Sequence, residues 1–210
     1  MLSPHDMGPP DDAPSPRVEA VVIGASAGAV EALSALLPAL PADLAVPVIV
    51  VVHVPGNRPS LLSELFAPKC QLPVREAEDK RTVAEGIWFA PPGYHLLVEH
   101  DRTFALSIDE LVNFSRPSID VLFESASEVY RNRLLALVLT GANSDGAAGC
   151  ALVQERGGLV AVQQPESAQA TAMPMAAIAR TTPNLVGSLS ELAVFIQHNT
   201  TAERALERQP

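Results

Sequence analysis

Continuous apolar runs that each give way to a helical pattern limit what this chain can become. Val18 to Ile23 is one such run, and Val30 to Leu37 follows it at helical spacing until Pro38. Pro47 to Val52 is a second, with Ser60–Phe66 reading as the helix behind it. Leu134 to Leu139 leads into a helical stretch over Ala147–Glu155, and Leu159 to Val162 is a further strand. Strands that are apolar at every position, rather than every second one, are buried on both faces. Alternated with helices, they predict a three-layer, doubly wound α/β fold on a mostly parallel sheet. Ile87 to Ala90 adds a short strand, and Leu189–Ile196 a closing helix. Pro117 to Arg131 predicts a helix whose Ile119, Leu122, Phe123, Ala126 and Val129 share one face. Leu96–Glu99 and Phe104–Ile108, split by His100-Asp101-Arg102, predict a hairpin and thus a local antiparallel addition.

These elements fit one domain spanning 17–198 of the 210 residues. Residues 1–16, with Pro4, Pro9, Pro10, Pro14 and Pro16, are expected to be a disordered tail or linker stub, and 199–210 a polar C-terminal tail. No internal repeat is visible. A net charge of −10 argues against a nucleic-acid partner, because phosphate binding needs a basic face. Cys70 and Cys150 supply neither a disulfide framework nor zinc-ligand spacing, and read as small buried apolar groups. No run of about 20 apolar residues could span a bilayer, and the N-terminus has no signal-peptide core. Cytoplasmic residence is the expectation.

In a parallel sheet the strand C-termini share an edge, and ligands bind in the crevice outside it. Three chemically complementary residues fall just past such ends: Ser26 in Gly24-Ala25-Ser26-Ala27-Gly28, His53 after Val52, and Asp145 in Thr140-Gly141-Ala142-Asn143-Ser144-Asp145-Gly146. A hydroxyl, an imidazole and a carboxylate are the parts of a nucleophilic hydrolase. Each also has a plainer reading. Ser26 could cap the helix that follows it or belong to a degenerate phosphate-binding turn. His53 could be structural, with His95 and His100 as rivals in or beside the hairpin. Asp145 could cap the helix beginning near Ala147. Small residues around Ser26 leave backbone N–H groups near Ser26 and Ala27 as candidate oxyanion donors.

Five segments, in order, resemble the catalytic domain of the chemotaxis protein-glutamate methylesterases, over about residues 18 to 197. They are Val22-Ile23-Gly24-Ala25-Ser26, Val52-His53-Val54-Pro55, Ala90-Pro91-Pro92-Gly93-Tyr94-His95-Leu96, Arg116-Pro117-Ser118-Ile119-Asp120-Val121-Leu122-Phe123, and Leu139-Thr140-Gly141 with Asp145-Gly146-Ala147. The resemblance implies Ser26 as nucleophile, His53 as general base and Asp145 as the residue orienting His53. It also implies a hairpin near the active site, no metal or organic cofactor, and methylated cytoplasmic helices of chemoreceptors as substrates. Some members of that family also deamidate glutamine. Ala27, Gly28, Ala142, His95 and Arg116 are secondary candidates for oxyanion or substrate contacts. Ala27-Gly28-Ala29 and Gly141-Ala142-Asn143 depart from the family's usual Thr-Gly-Gly and Gly-Met-Gly, which implies an altered rate or substrate choice, or a receptor-binding scaffold without turnover. With about 17 residues before the first strand, no receiver domain is expected to gate the site within this chain.

Overall fold

A computed structural model describes residues 18–54 and 60–200; the Pro-rich stretch 1–16, Pro55 and residues 201–210 lie outside it. The chain runs β1 (Ala20–Ala25), α1 (Ala29–Leu36), β2 (Pro47–Val52), α2 (Leu62–Phe66), β3 (Val74–Glu76) and β4 (Gly86–Phe89). It continues with β5 (His95–Val98), β6 (Phe104–Ser107), α3 (Ile119–Tyr130), β7 (Leu134–Val138), α4 (Ala147–Glu155) and β8 (Leu159–Gln163). The last elements are α5 (Ala172–Arg180), β9 (Leu185–Gly187) and α6 (Leu189–Thr200). Seven strands form one parallel sheet in the order β3-β4-β2-β1-β7-β8-β9. β5 and β6 form a separate antiparallel pair, as the hairpin pattern predicts.

The alternation of side chains along each strand splits the interior in two. Val21, Ile23, Val48 and Val50 point into a core closed by Leu33 and Leu36 of α1 and Leu192 and Ile196 of α6. Ala20, Val22, Ile49 and Val51 point the other way, toward Ile119, Leu122 and Phe123 of α3 and Cys150 of α4. The hairpin packs on that second side through Leu96, Val98 and Phe104. Both faces of the central strands are therefore dry, which is why their sequences carry no polar alternation. Cys150 is buried and Cys70 half-buried, and both thiols are free.

Sequence patterns missed β3, α5 and β9. The two strands are three residues each and lie at the sheet's edges, too short for a periodicity to register. Helix α5 carries Pro174 in its first turn, a position that tolerates proline although it resembles a break. Helix α6 runs through Thr200 rather than stopping near Ile196. Its end is tied to the start of the fold by the Val18 N–H donating to the Asn199 carbonyl at 3.2 Å.

Winding proceeds outward from β1 in both directions, so the sheet reverses between β1 and β7. Here the layers come unusually close. A Cβ added to Gly24, on β1, would lie 2.4 Å from Cγ2 of Ile119. Glycine at that point lets the first turn of α3 rest on the strand.

Candidate active site

Ser26, His53 and Asp145 follow β1, β2 and β7, the three central strands, at their C-terminal ends. In the parallel register Ala25 pairs with Val52. Ser26 and His53 are each one residue further on, and are thus neighbours across adjacent strands. The His53 N–H donates to the Ala25 carbonyl at 3.2 Å, which extends the ladder past the strand ends and fixes that relation.

Asp145 is fully buried. Its carboxylate accepts from five donors: Oδ2 from His53 Nε2 at 2.8 Å and the Ile119 N–H at 2.7 Å; Oδ1 from Asn113 Nδ2 at 2.8 Å, Ser118 Oγ at 2.9 Å and the Asp120 N–H at 3.2 Å. Burial alone would push this carboxyl up. The bonds from His53, Asn113 and the N–H groups of Ile119 and Asp120 outweigh it and hold the group below the usual carboxylate range. An ionised carboxylate only accepts, so His53 must carry its proton on Nε2. Nδ1 is left as the ring's lone-pair nitrogen. Around it stand Ser115 Oγ and Asn143 Nδ2, both at 3.5 Å, the outer limit of a hydrogen bond. An imidazole held this way can take a proton at Nδ1 while the carboxylate behind it stabilises the cation formed.

The capping readings resolve differently from their sequence form. Helix α1 is preceded by Gly28 in the left-handed region (φ 82°), with no side-chain cap, so Ser26 does not cap it. Helix α4 likewise begins after Gly146 without a side-chain cap. Asp145 does bind helix N–H groups, but they belong to α3, the helix that Gly24 admits onto the strand. One carboxylate thereby anchors α3 and orients His53.

The Ser26 N–H donates to the Thr140 carbonyl at 2.9 Å, so it is not a free oxyanion donor, contrary to the expectation from sequence. The N–H groups of Ala27 and Ala142 have no partner among the described residues, and both residues are exposed. Ser26 is half-buried, and its hydroxyl makes no hydrogen bond to His53 among the described residues.

His95 and Arg116 hold the loop between β6 and α3. His95 is buried; its Nε2–H donates to the Glu110 carbonyl at 2.9 Å, and its Nδ1 accepts from the Ser118 N–H at 3.2 Å. Arg116 Nη1 donates to the carbonyls of Ile108 and Asp109, both at 2.7 Å. His100 is exposed on the hairpin turn, apart from these contacts. Sequence reading passed over Asn113, which bridges Asp145 and Asp120 (Nδ2 to Asp120 Oδ2, 2.8 Å). Burial raises the Asp120 carboxyl, and nearby Asp145 raises it further. A loop asparagine 32 positions from its partner leaves no periodic signal; only Asp145's own candidacy could have prompted a search for donors.

A cavity of about 970 Å³ opens elsewhere, near the N-terminal ends of β1, β2 and β4, lined by Glu19, Arg75, Arg81, Trp88, Arg102 and Tyr130 among others. Ser26, His53 and Asp145 stand at the opposite edge of the sheet, past the strand C-termini. Among the described residues no group of His, Cys, Asp and Glu could hold a metal ion, and no helix is long and apolar enough to cross a membrane.

Residues 21–196 match the CheB methylesterase family. The chain belongs to that family. A Leptospira interrogans protein provisionally named protein-glutamate methylesterase/protein-glutamine glutaminase is 47% identical over 181 residues, covering 85% of this chain and 94% of the relative. A Trichodesmium erythraeum protein with that double name is 37% identical over 162 residues, which is 75% of this chain but 46% of the relative. The crystal structure of the Thermotoga maritima CheB methylesterase catalytic domain superposes with a TM-score of 0.82 at 29% identity, over 86% of this chain and 98% of that domain. The CheB fold thus accounts for the seven-stranded sheet and the small antiparallel pair together.

Proposed function

We propose that the chain is a protein-glutamate methylesterase acting on methylated glutamates of chemoreceptor-type proteins, by acyl transfer through Ser26. One observation carries the reading: His53 stands beside Ser26 across two adjacent strands, with its far nitrogen tied to a buried, ionised Asp145. His53 Nδ1 takes the Ser26 hydroxyl proton as Oγ attacks the γ-carbonyl of a glutamyl methyl ester. The tetrahedral intermediate's oxygen is held by the Ala27 N–H, with the Ala142 N–H as a second donor; one such donor is worth about 3 kcal/mol. The proton passes from His53 to the departing methoxide, methanol leaves, and the acyl-enzyme remains. Water then gives a proton to His53 as it attacks the acyl carbon, and His53 returns that proton to Ser26 Oγ as the acyl bond breaks, releasing glutamate and restoring the hydroxyl. The nucleophile–base hydrogen bond in such sites commonly tightens only in the substrate complex. No step calls for a metal or organic cofactor.

Glutamine is attacked by the same steps with ammonia as the leaving group, and the double name of the relatives supports that second substrate. Their names also favour turnover over a scaffold role. A soluble, cytoplasmic setting is part of the proposal, since the target helices of chemoreceptors lie there. The test is methanol release from a methylated chemoreceptor fragment together with fluorophosphonate labelling. Ser26→Ala should abolish both, lowering turnover by on the order of 10⁴ to 10⁶. A Ser26→Ala protein that releases methanol at near the unsubstituted rate would remove Ser26 as nucleophile.

A further inference from the structure

The loop from Ile108 to Arg116 joins the hairpin to α3 and is tied down from within. Arg116 holds the carbonyls of Ile108 and Asp109, His95 holds that of Glu110, and Asn113 binds Asp145 and Asp120. Its tip is a tight turn in which Val112 and Ser115 exchange backbone hydrogen bonds at 3.2 and 2.9 Å. The two residues inside it, Asn113 and Phe114, both lie in the left-handed region, at φ 52° and 60°. Two successive non-glycine residues there are a strained arrangement that persists only when its surroundings enforce it. The consequence is a division of labour. Asn113 turns inward to the carboxylates, and Phe114 is thrown outward with 98% of its surface exposed. Ile108 and Leu111 on the same loop are 72% and 57% exposed. The tethered loop thus displays a phenyl ring and two aliphatic side chains to solvent.

The position of the turn selects the partner. Asn113, adjacent to Phe114, binds Asp145; Ser115, on its other side, stands 3.5 Å from His53 Nδ1. The turn that carries Phe114 therefore flanks the His53–Asp145 pair, within reach of a polypeptide whose side-chain ester is held at Ser26. Ala27 and Ala142, beside the proposed oxyanion, are exposed, so the reacting groups lie at an open rim. Surface beyond them is available for recognition. We propose that the loop bearing Ile108, Leu111 and Phe114 is the docking element for the protein substrate, with Phe114 covering apolar side chains that flank the target glutamate. This rests on the esterase reading above and adds what that reading lacks, a determinant selecting a protein over a free ester.

The experiment compares two substrates in one enzyme. Phe114→Ala and Phe114→Glu are assayed for methanol release from a methylated chemoreceptor fragment and for hydrolysis of 4-nitrophenyl acetate. The ratio of kcat/KM for the fragment to that for the small ester should fall at least tenfold in Phe114→Ala, through KM, and further in Phe114→Glu. Thermal unfolding should be nearly unmoved, because an almost fully exposed side chain contributes little packing. A ratio unchanged in both variants, with the unsubstituted enzyme active on both substrates, overturns the docking role. A concentration-dependent dimer that Phe114→Ala abolishes assigns the surface to a second copy and overturns it as well. An unsubstituted enzyme inactive on both substrates defeats the esterase reading itself, a result distinct from either.

Discussion

Two histidines near the same rim, His53 and His95, differ in what their ring nitrogens are left free to do. Both sit beside the loop that precedes α3, and both have a ring nitrogen committed to a strong partner. At His53 the partner is an ionised carboxylate, and the remaining nitrogen has only distant contacts, with Ser115 Oγ and Asn143 Nδ2 at 3.5 Å. At His95 the partners are a carbonyl and an amide N–H, so both nitrogens are spent on backbone. Neither carbonyl nor amide stabilises an imidazolium as a carboxylate does. One ring is arranged to gain a proton; the other serves as a neutral bridge between strand, loop and helix.

Substitution tests that contrast directly. Replacing His53 with Gln should lower methanol release by on the order of 10⁴ to 10⁶, since members of the proposed triad would act as a unit. A comparable loss in His95→Gln would erase the distinction. Asp145→Asn should come next, at roughly 10⁴, because an amide no longer dictates which nitrogen of His53 carries the proton. Its single oxygen can accept from only one of the Ile119 and Asp120 N–H groups, which use different carboxylate oxygens, so the loss is read on protein that circular dichroism shows to be folded. A variant with less than a tenfold loss would deny Asp145 its orienting role.

Asn113→Ala probes the same carboxylate through stability. Its N–H favours the ionised forms of Asp145 and Asp120, so its contribution exists only while they are charged. For Asp145, held below its ordinary value near 3.8, the contribution is lost as pH falls through a still lower value. For Asp120, raised above that value, it is lost at higher pH. The variant should be destabilised by about 1–3 kcal/mol near neutrality, and urea denaturation should show the gap narrowing as pH falls toward about 3. A gap independent of pH would mean that Asn113 acts by packing alone. The smallest effect on turnover belongs to His95→Gln. Leaving the Ser118 N–H poorly paired should cost about 1–3 kcal/mol, or roughly 2–4 °C in Tm per kcal/mol, with less than a tenfold change in kcat.

The apolar strands, the amphipathic α3 and the hairpin were legible because their patterns are local. Val48 to Val52 cannot be placed on a surface, and period-3.6 burial from Ile119 to Val129 admits few alternatives. Ser26, His53 and Asp145 were legible because strand ends can be located and parallel strands share an edge. Asn113 and Phe114 were not, as their roles depend on a turn whose shape no local pattern announces. Asp145 is the instructive intermediate. As a residue that caps a helix it was visible, but the helix it caps is α3, 26 positions earlier.

By itself the amino-acid order determined a doubly wound sheet and that a hydroxyl, an imidazole and a carboxylate reach one of its edges, because burial periodicity and strand direction are properties of short segments. Which donors surround Asp145, which amide is left for an oxyanion, and which histidine keeps a free nitrogen were decided only when α3 settled onto Gly24. Those are matters of ångström-scale pairing between groups distant in the chain, and such pairing exists only once the layers have packed.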